Sequence, residues 1–372
     1  MPHSCPVWLG PGSGLDRAWI GHGYGWAVAA EPTPGWTDWS SWSSDVLPGY
    51  QQTTCPVGTD PDGEGELFAT LVRPGGAGPS PGVVLAVHGF TDYFFHTELA
   101  DFFAAHGYRF YGLDLHKCGR SWRTGQTPHF TTDLERYDRE LESALQIIGT
   151  ENPGCRALVY GHSTGGLVVS LWLDRMRRRG RPTGAPELAG LVLNSPFLDL
   201  NGPAILRTRA TSTAIGATSK LHRTRVVRAA GNGGYGLTLH RDYHGEFDYN
   251  LQWKPLGGFP VTAGWIHAVR RGQARLHRGL DVGVPNLVLR SDHSVAETAG
   301  IEVMSRGDAV LDVNHIARWA GCVGNRQTIV PVPDAKHDVF LSSQGPRATA
   351  YRELGRWLAT LDGLSEPHPD VL

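Results

Sequence analysis

This 372-residue sequence predicts an α/β architecture: a mostly parallel central sheet covered by helices on both faces. Three observations carry the prediction. Short apolar runs alternate with amphipathic helical stripes over most of the chain. One such run leads through a glycine-flanked turn straight into a helical pattern. A single long stretch then breaks the alternation.

Regular patterning begins near residue 46. Runs at 50–55 and 66–72 flank the turn residues Asp60-Pro61-Asp62-Gly63, which predicts a hairpin. Residues 83–87 form a continuous apolar run, the signature of a strand buried on both faces. Leu99, Phe102 and Phe103 mark a helix, and residues 109–113 the next strand. Leu134, Tyr137, Leu141, Leu145 and Ile148 give a long helical stripe. A strand at 157–160 and a helix from 166 follow. Strands at 191–193, 287–289 and 328–330, with helices near 313–319 and 348–358, complete the series. Between 193 and 287 no buried strand stands out. That stretch holds Trp253, Phe259, Trp265 and a Gly/Pro-rich section at 254–260. It predicts a cap insertion over about 201–280, after the sixth strand, lying over the C-terminal sheet edge where open α/β sheets bind ligands.

Residues 1–45 read differently. They hold Trp8, Trp19, Trp26, Trp36, Trp39 and Trp42, half of the chain's tryptophans, without helical or strand periodicity. The expected division is an extension over 1–45 and one domain over 46–372.

Composition narrows the partners. The net charge of −2 and the lack of a dense basic patch argue against nucleic acid. The most basic stretch, 175–181, falls at a predicted helix end, where cations complement the helix dipole. No run of apolar residues is long enough for a membrane span. The N-terminus lacks the basic and apolar regions of a secretion signal. Cys5, Cys55, Cys118, Cys155 and Cys322 are scattered, odd in number and free of C-x-x-C spacing. A disulfide framework or zinc site is not expected, and a cytoplasmic location fits.

The chemistry concentrates at Gly161-His162-Ser163-Thr164-Gly165. G-x-S-x-G between a strand and a helix is the pattern of a nucleophile elbow, a turn so tight that small residues must flank the serine. A serine hydroxyl needs a base, and the base an orienting acid, in the chain order Ser, Asp or Glu, His. His337 lies in the loop behind the last strand and is the candidate base. The acid belongs after the strand at 287–289. Asp308 leaves room for one helix and one strand before His337, with 293–307 as an inserted loop. Asp292 is the alternative acid, and Asp312 reads as a helix-start residue. Two backbone N–H groups are expected to hold an oxyanion: Thr164, after the nucleophile, and Phe90, in His88-Gly89-Phe90-Thr91 after the strand at 83–87. His88 reads as a turn-stabilising residue.

Weaker patterns carry less. Gly231-Asn232-Gly233-Gly234-Tyr235-Gly236 satisfies G-x-G-x-x-G but follows a basic helical stretch instead of a strand, so it does not read as a dinucleotide site. His240 and His244 lack an acidic partner of metalloprotease type between them. Cys118 reads as a buried thiol.

Together these residues resemble the α/β-hydrolase superfamily, within it the monoacylglycerol lipase, lysophospholipase and serine aminopeptidase-like group. The resemblance covers about residues 46–362. It rests on His88-Gly89-Phe90, on Asp114 and Gly119-Arg120-Ser121, on residues 161–165, and on His337 with Asp338. It implies Ser163 as nucleophile, His337 as base, and Phe90 with Thr164 as oxyanion donors. It also implies Asp308 as acid, because Asp308-Ala309-Val310-Leu311-Asp312-Val313 follows the group's D-x-x-V-D-x segment. Phe90 replaces a residue that is often small in the group, and the loop 293–307 is absent from its simplest members.

The expectation is a serine hydrolase acting through an acyl-enzyme on a carboxylic ester. A monoacylglycerol, a lysophospholipid or another small apolar ester is the substrate class implied. No cofactor or metal enters this chemistry. A lactonase or C–C bond hydrolase would use the same triad, and a non-catalytic small-molecule-binding protein could keep the fold. No acidic pocket for a peptide amine is evident. The oligomeric state is left open.

Overall fold

The computed structural model describes residues 41–76, 78–202 and 204–363. A short strand β1 (Ser43–Ser44) leads into the hairpin of β2 (Tyr50–Thr59) and β3 (Glu66–Pro74), turned by the Asp60–Gly63 sequence as expected. Then come β4 (Gly82–Val87), α1 (Thr97–Ala105), β5 (Tyr108–Asp114), α2 (Asp138–Glu151), β6 (Arg156–His162), α3 (Thr164–Arg179) and β7 (Glu187–Asn194). The long stretch that follows holds α4 (Arg209–Leu221), β8 (Val226–Arg228), α5 (Gly234–Leu237), β9 (Val261–Thr262) and α6 (Ala263–Leu276). The chain ends in β10 (Asn286–Ser291), α7 (Ile301–Met304), α8 (Val313–Ala320), β11 (Gln327–Val332) and α9 (Gln344–Gly363).

Nine strands form one sheet in the order β1-β2-β3-β5-β4-β6-β7-β10-β11. From β5 to β11 every pairing is parallel, and β1, β2 and β3 add an antiparallel edge. The inner parallel strands β4, β6, β7 and β10 are apolar on both faces because both are covered, whereas the edge strand β11 is largely exposed. Leu99 and Phe103 of α1 share one core with Leu354 and Trp357 of α9. Leu141 and Leu145 of α2, Leu171 and Trp172 of α3 and Ile316 of α8 form the other. Helix starts follow side-chain chemistry. Thr262 Oγ1 accepts from Trp265 N at α6, and Asp312 Oδ1 from Asn314 N at α8, so Asp312 is the helix-start residue its position suggested.

The long stretch differs from expectation at its end. Trp265, Ala268, Val269 and Leu276 of α6 belong to the main core, and α6 lies on α3. Gly272 permits the approach, since a Cβ there would stand 2.8 Å from Leu171 Cδ1. The range 201–280 therefore includes a helix of the sheet's own covering layer, and the part outside that layer ends near β9. The sequence hid this because no strand of the central sheet precedes α6; β9 is only two residues long and pairs with β8 in a separate sheet. Counting β1, the stretch also follows the seventh strand instead of the sixth.

Of the N-terminal section, residues 1–40 lie outside the described residues, with Cys5 and five of its six tryptophans. Trp42 is docked: its Nε1 donates to Glu151 Oε1 (2.7 Å) and the Arg73 guanidinium lies 3.6 Å from its ring centroid. Asp45 accepts two bonds of 2.7 Å from Arg120. Cys118, Cys155 and Cys322 are free thiols. Among the described residues no helix is long and apolar enough to cross a membrane.

Trp172, fully buried between α3 and the sheet, is a sensitive test of this core. Trp172→Ala is expected to cost about 3–5 kcal/mol, read as a lower urea midpoint by circular dichroism.

Candidate active site

The turn between β6 and α3 places Ser163 at φ 51° and ψ −116°, a left-handed region that L residues avoid. Its neighbours show why the strain persists. A Cβ on Gly165 would lie 2.3 Å from the His88 carbonyl oxygen, and one on Gly161 would lie 2.7 Å from Val169 Cγ2. Only glycine lets β6, α3 and the loop after β4 meet here. That loop lies against the serine, because a Cβ on Gly89 would be 3.0 Å from Ser163 Cβ.

The loop after β11 brings His337 to this turn. Ser163 Oγ is 2.9 Å from His337 Nε2, and His337 Nδ1 is 3.0 Å from Asp308 Oδ2. The second Asp308 oxygen accepts from the N–H groups of Val310 and Leu311, both at 2.8 Å. With Asp308 ionised, Nδ1 carries the imidazole proton, and Nε2 is free to accept the serine proton. Asp308 is fully buried and His337 is 3 % exposed. Asp292 does not reach the imidazole. It accepts from His293 Nδ1 (2.7 Å) and from Asp334 N (3.1 Å), which braces the foot of the His337 loop. Residues 293–307 leave and return beside themselves: Val295 N donates to Asp308 O, and Asp308 N to His293 O.

Thr164 opens α3, so its N–H is one of those that a helix cannot satisfy internally. Phe90 sits in the loop pressed on Ser163. His88 does hold a turn: its Nδ1 donates to Gly89 O (2.8 Å) and its Nε2 accepts from Leu115 N (3.2 Å).

Several residues at the site escaped the sequence reading. Asn194, at the end of β7, donates to Asp338 Oδ1 (2.6 Å) and accepts from Val339 N (3.2 Å), which ties down the His337 loop. Tyr235 OH accepts from Asp338 N (3.0 Å), so the glycine-rich 231–236 segment braces the same loop. Lys336 is buried, and that burial pushes its ammonium down to about 8. Asp92 joins His162 Nδ1 (3.1 Å) and Lys254 Nζ (2.7 Å). Burial pushes the Asp92 carboxyl up, but Lys254 and His162 outweigh it and hold it far below the carboxylate range. Burial pushes His162 down, and Asp338 with Asp92 outweighs it, leaving the imidazole raised. Only the position of Asp92, two residues after Phe90, hinted at a role.

One set of metal-type side chains lies nearby. His88, Cys118 and His129 are buried with ligand atoms within 4.8 Å of one another. Both nitrogens of His88 are already engaged by backbone, and burial holds Cys118 as a thiol. The set is a poor fit to a metal ion. His240 is occupied by Tyr249 O and Asp242 N.

Residues 78–306 match the family described as serine aminopeptidase, S33. The chain belongs to that family. The match takes in the Phe90 loop and Ser163 and stops just before Asp308. No curated protein matches this S33-family chain in sequence. Its fold is similar to a soluble variant of monoglyceride lipase from Saccharomyces cerevisiae solved with a substrate analogue. The two share 15% identity and a TM-score of 0.57 over 86% of this chain and 94% of that one. A putative hydrolase from Agrobacterium vitis S4 gives 14% and 0.54 over 82% and 98%. A lipase in its open form gives 14% and 0.53 over 83% and 99%. At such identities the likeness is one of fold, and it is the α/β-hydrolase fold.

The Asp92 cluster gives a signed pH dependence. An Asp with a depressed folded pKa stabilises above its ordinary value near ~3.9, and the gain is lost as pH falls. A His with a raised folded pKa stabilises below its ordinary value near ~6.5, and the gain is lost as pH rises through the folded one. Asp92→Asn is therefore expected to cost most between about pH 4 and 6.5, by about 3–5 kcal/mol, as a broken buried pair does. Urea unfolding from pH 3 to 9 should show the difference narrowing at both ends.

Proposed function

We propose that this protein is a serine hydrolase of carboxylic esters working through an acyl-enzyme. The hydrogen-bonded line from Ser163 through His337 to Asp308, at the foot of a strained elbow, carries the reading. Ser163 Oγ attacks the ester carbonyl as His337 Nε2 takes its proton. Asp308 holds the imidazole by its Nδ1–H and offsets the imidazolium charge. The N–H groups of Phe90 and Thr164 receive the oxyanion. Collapse of the tetrahedral intermediate expels the alcohol, which takes its proton from His337. Water then attacks the acyl-enzyme, with His337 as base, and the acid leaves.

The surroundings favour an apolar substrate. The Phe90 ring packs on Trp265 at 4.2 Å and on His129 at 5.2 Å, and Phe259 lies 5.5 Å beyond His129. Rings on the oxyanion side suit an apolar acyl or alcohol group better than a charged peptide terminus. The monoglyceride lipase and lipase among the structural relatives are consistent with that choice.

A fluorophosphonate probe and p-nitrophenyl esters of increasing chain length test the reading. Wild type is expected to label and turn over, and Ser163→Ala to do neither. Asp308→Asn should lower kcat by about 10⁴-fold through the wrong imidazole tautomer, with Asp292→Asn little changed. A folded wild type that neither labels nor cleaves any ester would refute the assignment.

A further inference from the structure

The hydrogen bonds around Asp92 join three segments distant in sequence, two of which carry the proposed oxyanion donors. One carboxylate oxygen receives His162 Nδ1, from the residue before the nucleophile and two before Thr164. The other receives Lys254 Nζ, from the stretch between α5 and β9. Asp92 itself lies two residues after Phe90. The same stretch grips the loop at two further points. Phe259 N donates to Thr91 Oγ1 (2.9 Å), and Asn250 N donates to Tyr93 OH (2.8 Å). Thr91 is held at φ 54°, a conformation that needs outside support in a β-branched residue.

Lys254 is 8 % exposed. Its ammonium has Asp92 Oδ1 at 2.7 Å, Thr91 O at 3.5 Å, and the rings of Phe95 and Tyr249 at 5.6 and 5.8 Å. Three of these four partners belong to the loop that follows β4. The charge is thus spent on one loop, the one that carries Phe90. Without it Asp92 would be a buried carboxylate paired only to an imidazole, and the loop would keep only the Phe259 and Asn250 bonds to the long stretch.

We propose that Lys254 is a positioning residue for the oxyanion hole. It holds Asp92, and Asp92 sets the Phe90 N–H at a fixed distance from the Thr164 N–H. This rests on the ester-hydrolase reading above. An oxyanion donor acts only when aimed at where the charge develops, so a loosened loop weakens transition-state binding more than substrate binding. The expected signature is a loss in kcat with KM little changed.

The test compares wild type, Lys254→Met, Lys254→Arg and Thr91→Val in p-nitrophenyl ester hydrolysis, with melting temperatures measured in parallel. A trifluoromethyl ketone, which becomes a tetrahedral oxyanion on Ser163, reports the hole directly. Lys254→Met is expected to lower kcat by about 10- to 100-fold, less than the ~10²- to 10³-fold of losing a donor outright. The ketone's inhibition constant should rise by a similar factor. Lys254→Arg should recover most of both, and Thr91→Val should show a smaller loss of the same kind. If Lys254→Met fails to fold, Thr91→Val carries the comparison. A folded Lys254→Met, or in its place Thr91→Val, with unchanged kcat and ketone affinity would overturn the proposal, even if its melting temperature fell. Those outcomes presuppose that wild type turns over. A wild type without turnover would refute the hydrolase reading itself and this positioning role with it.

Discussion

The close approach of three backbones at residues 161–165 is the constraint on which the rest of the site depends. β6 must end, α3 must begin and the loop after β4 must pass within contact of Ser163. Two glycines make this possible, since a Cβ on either would collide with a neighbouring carbonyl or methyl. The serine accepts a positive φ in return, and its hydroxyl is held where His337 can reach it. The strain is sustained by the sheet: β4, β6 and β7 are paired in parallel register directly beneath the turn.

Around this turn the fold spends its polar side chains on holding loops still. Asn194 and Tyr235 fix the loop of His337 from a strand end and from the insertion. Asp308 is fixed by two backbone N–H groups before it meets the imidazole. Asp92 gathers a histidine of the elbow and a lysine of the insertion. Charged groups this deeply buried add little net stability as pairs, yet breaking one is costly. Their effect is to make each loop's position specific. The long stretch between β7 and β10 therefore braces these loops. Its glycine-rich segment 231–236, which resembles a nucleotide motif on paper, allows close packing within the stretch: a Cβ on Gly236 would lie 2.4 Å from Leu256 O.

Much of this was legible in the residues. Alternating apolar runs and helical stripes encode the parallel sheet, because a strand buried on both faces and a helix buried on one leave distinct periodicities. Gly161-His162-Ser163-Thr164-Gly165 is legible because its flanking strand and helix are. The interval to His337 already favoured Asp308, since connections between a strand and a helix are short. The helix α6 was less visible, since its apolar positions lie inside a stretch where no strand of the central sheet frames them and β9 is only two residues long. The strand β1 was invisible: two serines carry no period.

What the sequence determined by itself is what depends on neighbours along the chain: the order of strands and helices, the elbow, and the candidate residues in Ser, Asp, His order. What only the tertiary structure decided is which distant side chains meet. It brings Asp308 to His337 and turns Asp292 toward Asp334. It carries Lys254 across to Asp92, and it puts α6 in the core instead of the insertion. The physical reason is that a local pattern records which face of an element is buried, while the partner across a buried charge is fixed only when separate loops converge on one sheet edge.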